Sequence, residues 1–250
     1  MIVDPMFYAA AVPATILVGL SKGGFTGLSV LAQPLLALAM SPIQAAAIIL
    51  PVLIVQDLVS LYAYWRRWSR EELRLTLPAA LVGIVLGYLL AASVSDRAVA
   101  TGIGLLSLAE ASRHFLAVGL RRSPAPAGRL SAAVWSVVSG FTSMIANAGG
   151  PPLMIYLLRR PHLRPEQFAA TSAAFFAVVN WAKVPFFLAL GQITGANLGT
   201  SAVLLPVAVV ATAAGVQLVR RVPAKRFFGL IYAILAAVGA KLVYDGLITG

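Results

Sequence analysis

The tetrapeptide Ser21-Lys22-Gly23-Gly24 interrupts an apolar stretch that runs over residues 6–40. A helix needs about 20 apolar residues to cross the roughly 30 Å hydrocarbon core of a bilayer. The apolar arms on the two sides of the break contain about 15 residues or fewer, which reach only about 20 Å at ~1.5 Å per residue. We therefore predict a re-entrant hairpin whose tip, with Lys22, lies near the middle of the membrane.

A lysine on such a tip indicates function. Irregular backbone at that depth is tolerated only where it is buried in protein or lines a wet cavity. An ionisable group inside the membrane is costly, so it marks a candidate functional site. The structural alternative is that Lys22 reaches back to the interface or pairs with an acid to fix the packing.

The composition is that of a polytopic membrane protein. Hydrophobic residues make up 60% of the chain and charged residues 11%, and the mean hydropathy is +0.91. The formal net charge is +11, but the basic residues cluster in short segments between apolar ones, which is the positive-inside pattern. We therefore expect a lipid bilayer as the partner and no nucleic acid. The absence of cysteine excludes disulfides and thiolate metal sites.

The chain divides into two halves of similar order. Residues 1–120 are predicted as one repeat, residues 121–129 as a cytoplasmic linker, and residues 130–250 as a second repeat. Each half opens with a hairpin, over residues 6–40 and 130–158. Each hairpin is followed by three predicted spans, over residues 42–65, 75–92, 98–120, 168–190, 198–219 and 227–247.

Ordered matches at a nearly constant offset support a duplication. Gly23-Gly24 corresponds to Gly149-Gly150, and Asp57 corresponds to Asn180. The basic segments, residues 66–74, 121–129, 159–164 and 220–226, are predicted to be cytoplasmic. The fold class is then an all-α polytopic membrane protein with an inverted repeat, each half one re-entrant hairpin plus three transmembrane helices, and both termini outside. The alternative is eight or more full spans.

The two glycine pairs predict an anion site. Glycine accepts left-handed backbone and lets a ligand approach the backbone N–H groups. The polar neighbours are Ser21 and Lys22 at the first tip and Asn147 at the second. We predict that the substrate contacts these three side chains and the glycines listed here: Gly23, Gly24, Gly149 and Gly150. The alternative is that the glycines only allow close helix packing.

Three further polar residues lie within predicted spans. Asn180 and Lys183 are three residues apart and share a helix face, and both are predicted to bind the substrate. Lys22 and Lys183 would then converge on one substrate from the two halves. Asp57 is predicted to be their counter-ion, a proton carrier or an ion-coupling ligand. A static pair between Asp57 and a lysine is the structural alternative.

Other charged groups are interpreted as structural, and no enzyme is predicted. Glu110, Arg113 and His114 lie on one side of a helix and neutralise one another, with a proton relay as the alternative. Lys241 and Asp245 are interpreted as a surface pair. The sequence has no histidine cluster and no His-Glu-x-x-His motif, so we expect no catalytic residues, no metal and no cofactor.

Four motifs together resemble the TauE/SafE sulfite exporter family, also called the toluene sulfonate uptake permease family. They are Gly19-Leu20-Ser21-Lys22-Gly23-Gly24-Phe25-Thr26-Gly27, Pro34-Leu35-Leu36, Leu50-Pro51 with Asp57, and Gly149-Gly150-Pro151-Pro152-Leu153. The resemblance implies a multi-pass carrier of the bacterial inner membrane for small sulfur-containing or organic anions such as sulfite, sulfonates or sulfoacetate.

Two classes of transport protein remain open at this stage. A secondary carrier needs alternating access and an enclosed site, which an inverted repeat supplies, whereas a passive anion channel needs a continuous polar pore. The sparse polar residues within the spans favour the carrier, with protons as candidate coupling ions. Saturable flux with counterflow would distinguish the two classes.

Overall fold

The computed structural model describes residues 2, 4–24, 28–91, 93–117, 128–218 and 225–248. Within these ranges the chain is helical and forms no strand, which confirms the all-α prediction. The elements in order are α1 (Pro5–Lys22), a 3-10 turn (Leu28–Leu31), α2 (Ala32–Ala37), α3 (Pro42–Ala63), α4 (Arg70–Ala91), α5 (Asp96–Ala117), α6 (Arg129–Ala146), α7 (Gly150–Leu157), α8 (Pro165–Ala189), α9 (Gly195–Leu218) and α10 (Lys225–Ile248).

Six of these helices are long and apolar enough to cross a membrane: α1, α3, α4, α8, α9 and α10. The chain is therefore a multi-pass membrane protein. Helix α5 forms where the span over residues 98–120 was predicted, but it carries charges such as Glu110 and Arg113 and falls outside this set. The predicted residues 118–120 lie outside the described part of the chain.

The segment predicted as the first hairpin, residues 6–40, forms one long and one short helix, α1 and α2. Helix α1 is itself a candidate membrane span, which differs from the predicted pair of short arms. Helix α1 contains 18 residues, or about 27 Å at ~1.5 Å per residue. It begins at Pro5, where the Asp4 side chain accepts a hydrogen bond from the Met6 N–H at 2.9 Å. It is longer than expected because Ser21 and Lys22 continue the helix, which ends at Gly23. The predicted tip residues 25–27 lie outside the described residues.

The second hairpin repeats this asymmetry. Helix α6 contains 18 residues, whereas α7 contains eight. Asn147 ends α6 in the left-handed conformation, with φ of 47°, a conformation that asparagine tolerates better than most residues. The break at residues 147–149 thus turns the chain sharply before α7 begins at Gly150.

Glycines bring two pairs of helices into close contact. Gly23 of α1 lies against the backbone of Gly215 in α9, and Gly140 of α6 lies against the backbone of Ala80 in α4. A Cβ atom added at either glycine would overlap backbone atoms of the facing helix. Small residues at such crossings allow the backbone approach on which association within a bilayer depends.

Replacing Gly140 with leucine is expected to separate α4 from α6 and to destabilise the protein by about 1–3 kcal/mol or more, because the new side chain meets backbone that cannot rotate away. The matched control is Gly102→Ala in α5, where an added Cβ has no neighbour within 4 Å. Thermal unfolding of the purified variants in one detergent measures the difference. Equal melting temperatures would contradict the close contact.

Ionic and polar contacts join segments near the ends of the helices. Arg67, in the segment before α4, pairs with Glu166 at the start of α8 at 2.8 Å. Near the start of the chain, the Ile2 N–H donates to Thr200 Oγ1 of α9 at 3.0 Å. Most of the predicted linker over residues 121–129 and of the basic segment 220–226 lies outside the described residues.

Candidate functional site

Lys22 and Asp57 form a buried ion pair at the first tip. The Lys22 Nζ donates to Asp57 Oδ1, and the two side chains are only 13% and 2% exposed. Asn180 from α8 donates its Nδ2 to the other carboxylate oxygen of Asp57 at 2.6 Å. The Asp57 carboxylate therefore lies between Lys22 and Asn180, the residue that the sequence comparison pairs with Asp57.

Two hydroxyl groups of α3 fix the end of α1. Ser60 Oγ donates to the carbonyl of Lys22 at 3.1 Å, and Tyr64 Oη donates to the carbonyl of Gly23 at 2.8 Å. The last carbonyls of a helix have no partner within the helix. These two bonds satisfy them and hold the Lys22 side chain beside α3.

Asn147 and Lys183 form the centre of the second tip. The Lys183 Nζ donates to Asn147 Oδ1 at 2.6 Å and to the carbonyl of Ser143 at 3.2 Å. Asn147 in turn donates its Nδ2 to the carbonyl of Ala46 in α3 at 3.3 Å. Lys183 is fully buried, and it contacts the tip through Asn147.

The four predicted glycines have two different surroundings. Gly23 packs against Gly215, and Gly149 packs against α6, with Ser139 Oγ donating to its carbonyl at 2.7 Å. Gly24 has a φ of 132°, and a Cβ at Gly150 would meet only Ser29 Oγ at 3.9 Å. The first member of each pair therefore supports packing, and the second lines a cavity.

A cavity of about 100 Å³ lies between the two tips. A water needs roughly 10–15 Å³ by the same measure, so a small oxyanion fits. The predicted residues that line it are Ser21, Lys22, Gly24, Asp57, Asn147, Gly150 and Asn180. Gly23, Gly149 and Lys183 do not line it. The predicted convergence of two lysines on one ligand therefore has to be restated: Lys22 faces the cavity, and Lys183 lies behind Asn147.

Groups that can bind an anion line the cavity. Lys22 forms part of its wall, and the Lys22 Nζ lies 5.9 Å from the centre of the Phe176 ring. The side-chain amides of Asn147 and Asn180 line the same cavity. The site thus combines a lysine with two amide donors.

Several lining residues were not predicted from the sequence: Ser29, Gln33, Ser143, Ser172, Phe176 and Tyr232. Ser172 and Phe176 precede Asn180 at intervals of four residues on α8, so helical periodicity could have found them. Glu110 and Arg113 form the expected ion pair at 2.7 Å, but both also line the cavity.

Comparison with protein families identifies the chain. The model of the family described as Sulfite exporter TauE/SafE matches residues 11–242, which confirms the resemblance seen in the motifs. No curated protein and no solved structure matches the chain. TauE/SafE is a transporter family, which implies a small anionic substrate and a lipid environment. The chain, with its six apolar helices and its cavity between two hairpins, belongs to the TauE/SafE sulfite exporter family.

Proposed function

We propose that the protein is a secondary transporter that moves a small sulfur-containing or organic anion, of the sulfite, sulfonate or sulfoacetate type, across the bacterial inner membrane by alternating access. The observation that carries the proposal is the network at the tips. Lys22 and Asp57 from the first half meet Asn180 and Asn147 from the second half around one cavity. A site formed by both halves changes its access when the halves move relative to each other.

Helix packing supports the inverted repeat on which this proposal rests. Helix α1 packs on α9 as α6 packs on α4, and α3 packs on α9 as α8 packs on α4. Helices α3 and α8 contact each other, as do α5 and α10. An exchange of residues 1–120 with residues 130–250 therefore leaves these pairings unchanged. If the basic segments are cytoplasmic, the first hairpin enters the membrane from outside and the second from inside.

The anion competes with Asp57 for Lys22. Charge-assisted hydrogen bonds from an ammonium to an oxyanion are among the stronger contacts in proteins. In the structure the Lys22 ammonium donates to the Asp57 carboxylate, and Asn180 donates to the other oxygen of the same carboxylate. An entering anion takes over the ammonium and gains donors from Asn147 and from the hydroxyls of Ser21 and Ser29, which lie 3.1 Å apart.

Replacing Lys183 with methionine is expected to weaken the apparent affinity for the anion by about tenfold, because a charged hydrogen bond worth roughly 1.5–3 kcal/mol no longer holds Asn147. Methionine keeps most of the side-chain volume. The matched control is Lys241→Met, at an exposed lysine paired with Asp245. The concentration dependence of sulfite uptake measures the effect, and equal values for the two variants would remove Lys183 from the site.

Uptake into proteoliposomes tests the proposed function. Labelled sulfite and a labelled sulfonate are added over a range of concentrations, with and without a pH gradient. We expect saturable uptake of at least one of the two anions. Uptake that rises linearly with concentration would indicate a passive anion channel, and uptake equal to that of empty vesicles would contradict anion transport.

A further inference from the structure

A second buried acid, Glu72, lies outside the cavity, beside the basic segment 159–164. Glu72, in the first turn of α4, is fully buried. It accepts hydrogen bonds from Tyr156 Oη and, at 2.7 Å, from Arg160 Nε, and His162 Nε2 lies 3.2 Å from the same carboxylate. A buried carboxylate is costly unless it is paired and hydrogen-bonded. All three partners belong to α7 and to the segment that follows it.

Helix α7 depends on such an attachment. With eight residues it is far below the roughly 12–15 residues at which an isolated helix becomes marginally stable. Its first residues, Gly150 and Pro151, line the anion cavity, and Tyr156 lies less than two turns further on. The bonds to Glu72 therefore fix the C-terminal end of α7, and the N-terminal end of the same helix forms part of the anion site.

The corresponding position of the other half is neutral. The offset of 128 that pairs Pro78 with Pro206 places Thr200 of α9 opposite Glu72. Its Oγ1 accepts a hydrogen bond from the Ile2 N–H at 3.0 Å and donates to the carbonyl of Ala196 at 3.1 Å. Charged hydrogen bonds are stronger than neutral ones. Glu72 thus attaches α7 by charge at a position where the other half has a neutral hydroxyl group.

We propose that Glu72 is a positioning residue of the anion site: through Tyr156 and Arg160 it holds α7 so that Gly150 faces Ser29 across the cavity. This inference rests on the proposed function, but its first readout does not need transport. Because the chain has no cysteine, the pair Ser29→Cys and Gly150→Cys supplies the only thiols. A Cβ at Gly150 would lie 3.9 Å from Ser29 Oγ, so the two thiols stand close together and reach disulfide geometry by a small movement of the tip or of the side chains.

The rate of disulfide formation between these cysteines measures the position of the tip. It is recorded with copper phenanthroline as oxidant and without sulfite, since sulfite cleaves disulfides. Glu72→Gln is expected to slow the reaction by about 10- to 100-fold, because a misplacement near 1 Å has effects of that size on reacting groups. Glu71→Gln is the matched control: its exposed carboxylate lies 3.6 Å from the same arginine, and we expect no change.

Tyr156→Phe is a milder variant that removes one hydrogen bond to Glu72 and keeps the ring. It is expected to slow the reaction in the same direction, and its effect should not add to that of Glu72→Gln, since coupled residues give non-additive effects. In proteoliposomes without the cysteines, Glu72→Gln is expected to raise the KM for sulfite by about tenfold with a smaller change in the maximal rate, as for a loss of ground-state binding.

Two results would overturn the positioning role. The first is an equal cross-linking rate in the parent pair, Glu72→Gln and Tyr156→Phe. The second is a slower rate in Glu72→Gln combined with the KM of the parent, since Glu72 would then support the helix without affecting the anion. Absence of saturable flux in the parent would contradict the proposed function instead, and the cross-linking rates would still decide the role of Glu72.

Discussion

Replacing Lys22 with alanine is expected to abolish measurable saturable transport and to weaken anion binding by about 10- to 100-fold, the range given by one lost hydrogen bond to a charged group. The variant is also expected to lose about 3–5 kcal/mol of stability, because a buried acid is left without its cation. Asp57 is only 2% exposed, and Lys22 is the cation that pairs with its carboxylate. Sulfite binding and thermal unfolding of the purified variant measure the two effects.

The double variant Lys22→Ala/Asp57→Asn separates binding from stability. Asparagine carries no charge and can still accept the hydrogen bond from Asn180, so most of the lost stability should return. Anion binding should remain weak, because the ammonium is still absent. Recovery of both properties would show that Lys22 only balances Asp57.

Lys22→Arg tests whether charge alone is sufficient. The guanidinium is larger and planar, and the end of α1 is held by Tyr64 and packed against Gly215. We expect folded protein with strongly reduced transport. Transport equal to that of the parent would show that the tip accommodates any cation.

Asp57→Asn is expected to preserve exchange of the anion across the membrane and to abolish the response of net flux to a pH gradient. In the coupling mechanism that this variant tests, an anion that neutralises Lys22 removes the positive charge that stabilises the Asp57 carboxylate. Asp57 then binds a proton more readily, so that binding of the anion and binding of the proton are coupled. Asparagine imitates the protonated acid permanently, so the coupling is lost while the hydrogen bond with Asn180 can remain.

Exchange and gradient-driven flux in the same vesicles distinguish the possible roles of Asp57. Loss of the pH response alone supports coupling. Loss of both activities would indicate that the acid is structural. An unchanged pH response would remove Asp57 from the coupling pathway, and the cavity residue Glu110 would be the next acid to replace.

Much of the fold follows from local sequence because its signals are local. Runs of apolar residues predicted the helices, and the breaks at Gly23 and Asn147 predicted where α1 and α6 end. The length of α1 was underestimated because Ser21 and Lys22 looked like part of the break. Both residues stay helical, since Asp57, Ser29 and the neighbouring hydroxyl groups satisfy their side chains and the last carbonyls.

The site was predicted less completely because its contacts join distant segments. The correspondence between Asp57 and Asn180 was visible as a repeat, and the two residues are hydrogen-bonded. The three-residue spacing of Asn180 and Lys183 predicted a shared face, but it could not show that Asn147 lies between Lys183 and the cavity. Glu72 resembled one more charge in a basic segment, because its partners lie far along the chain, in and after α7.

Counterflow of labelled sulfite tests a carrier site between the two tips most directly. Vesicles with the parent protein are loaded with excess unlabelled sulfite and diluted into a trace of labelled sulfite. A carrier predicts transient accumulation of label above its equilibrium level, and we expect none in the equally folded variant Lys22→Ala/Asp57→Asn. Flux without accumulation in the parent, or accumulation undiminished in the double variant, would contradict a carrier site at Lys22.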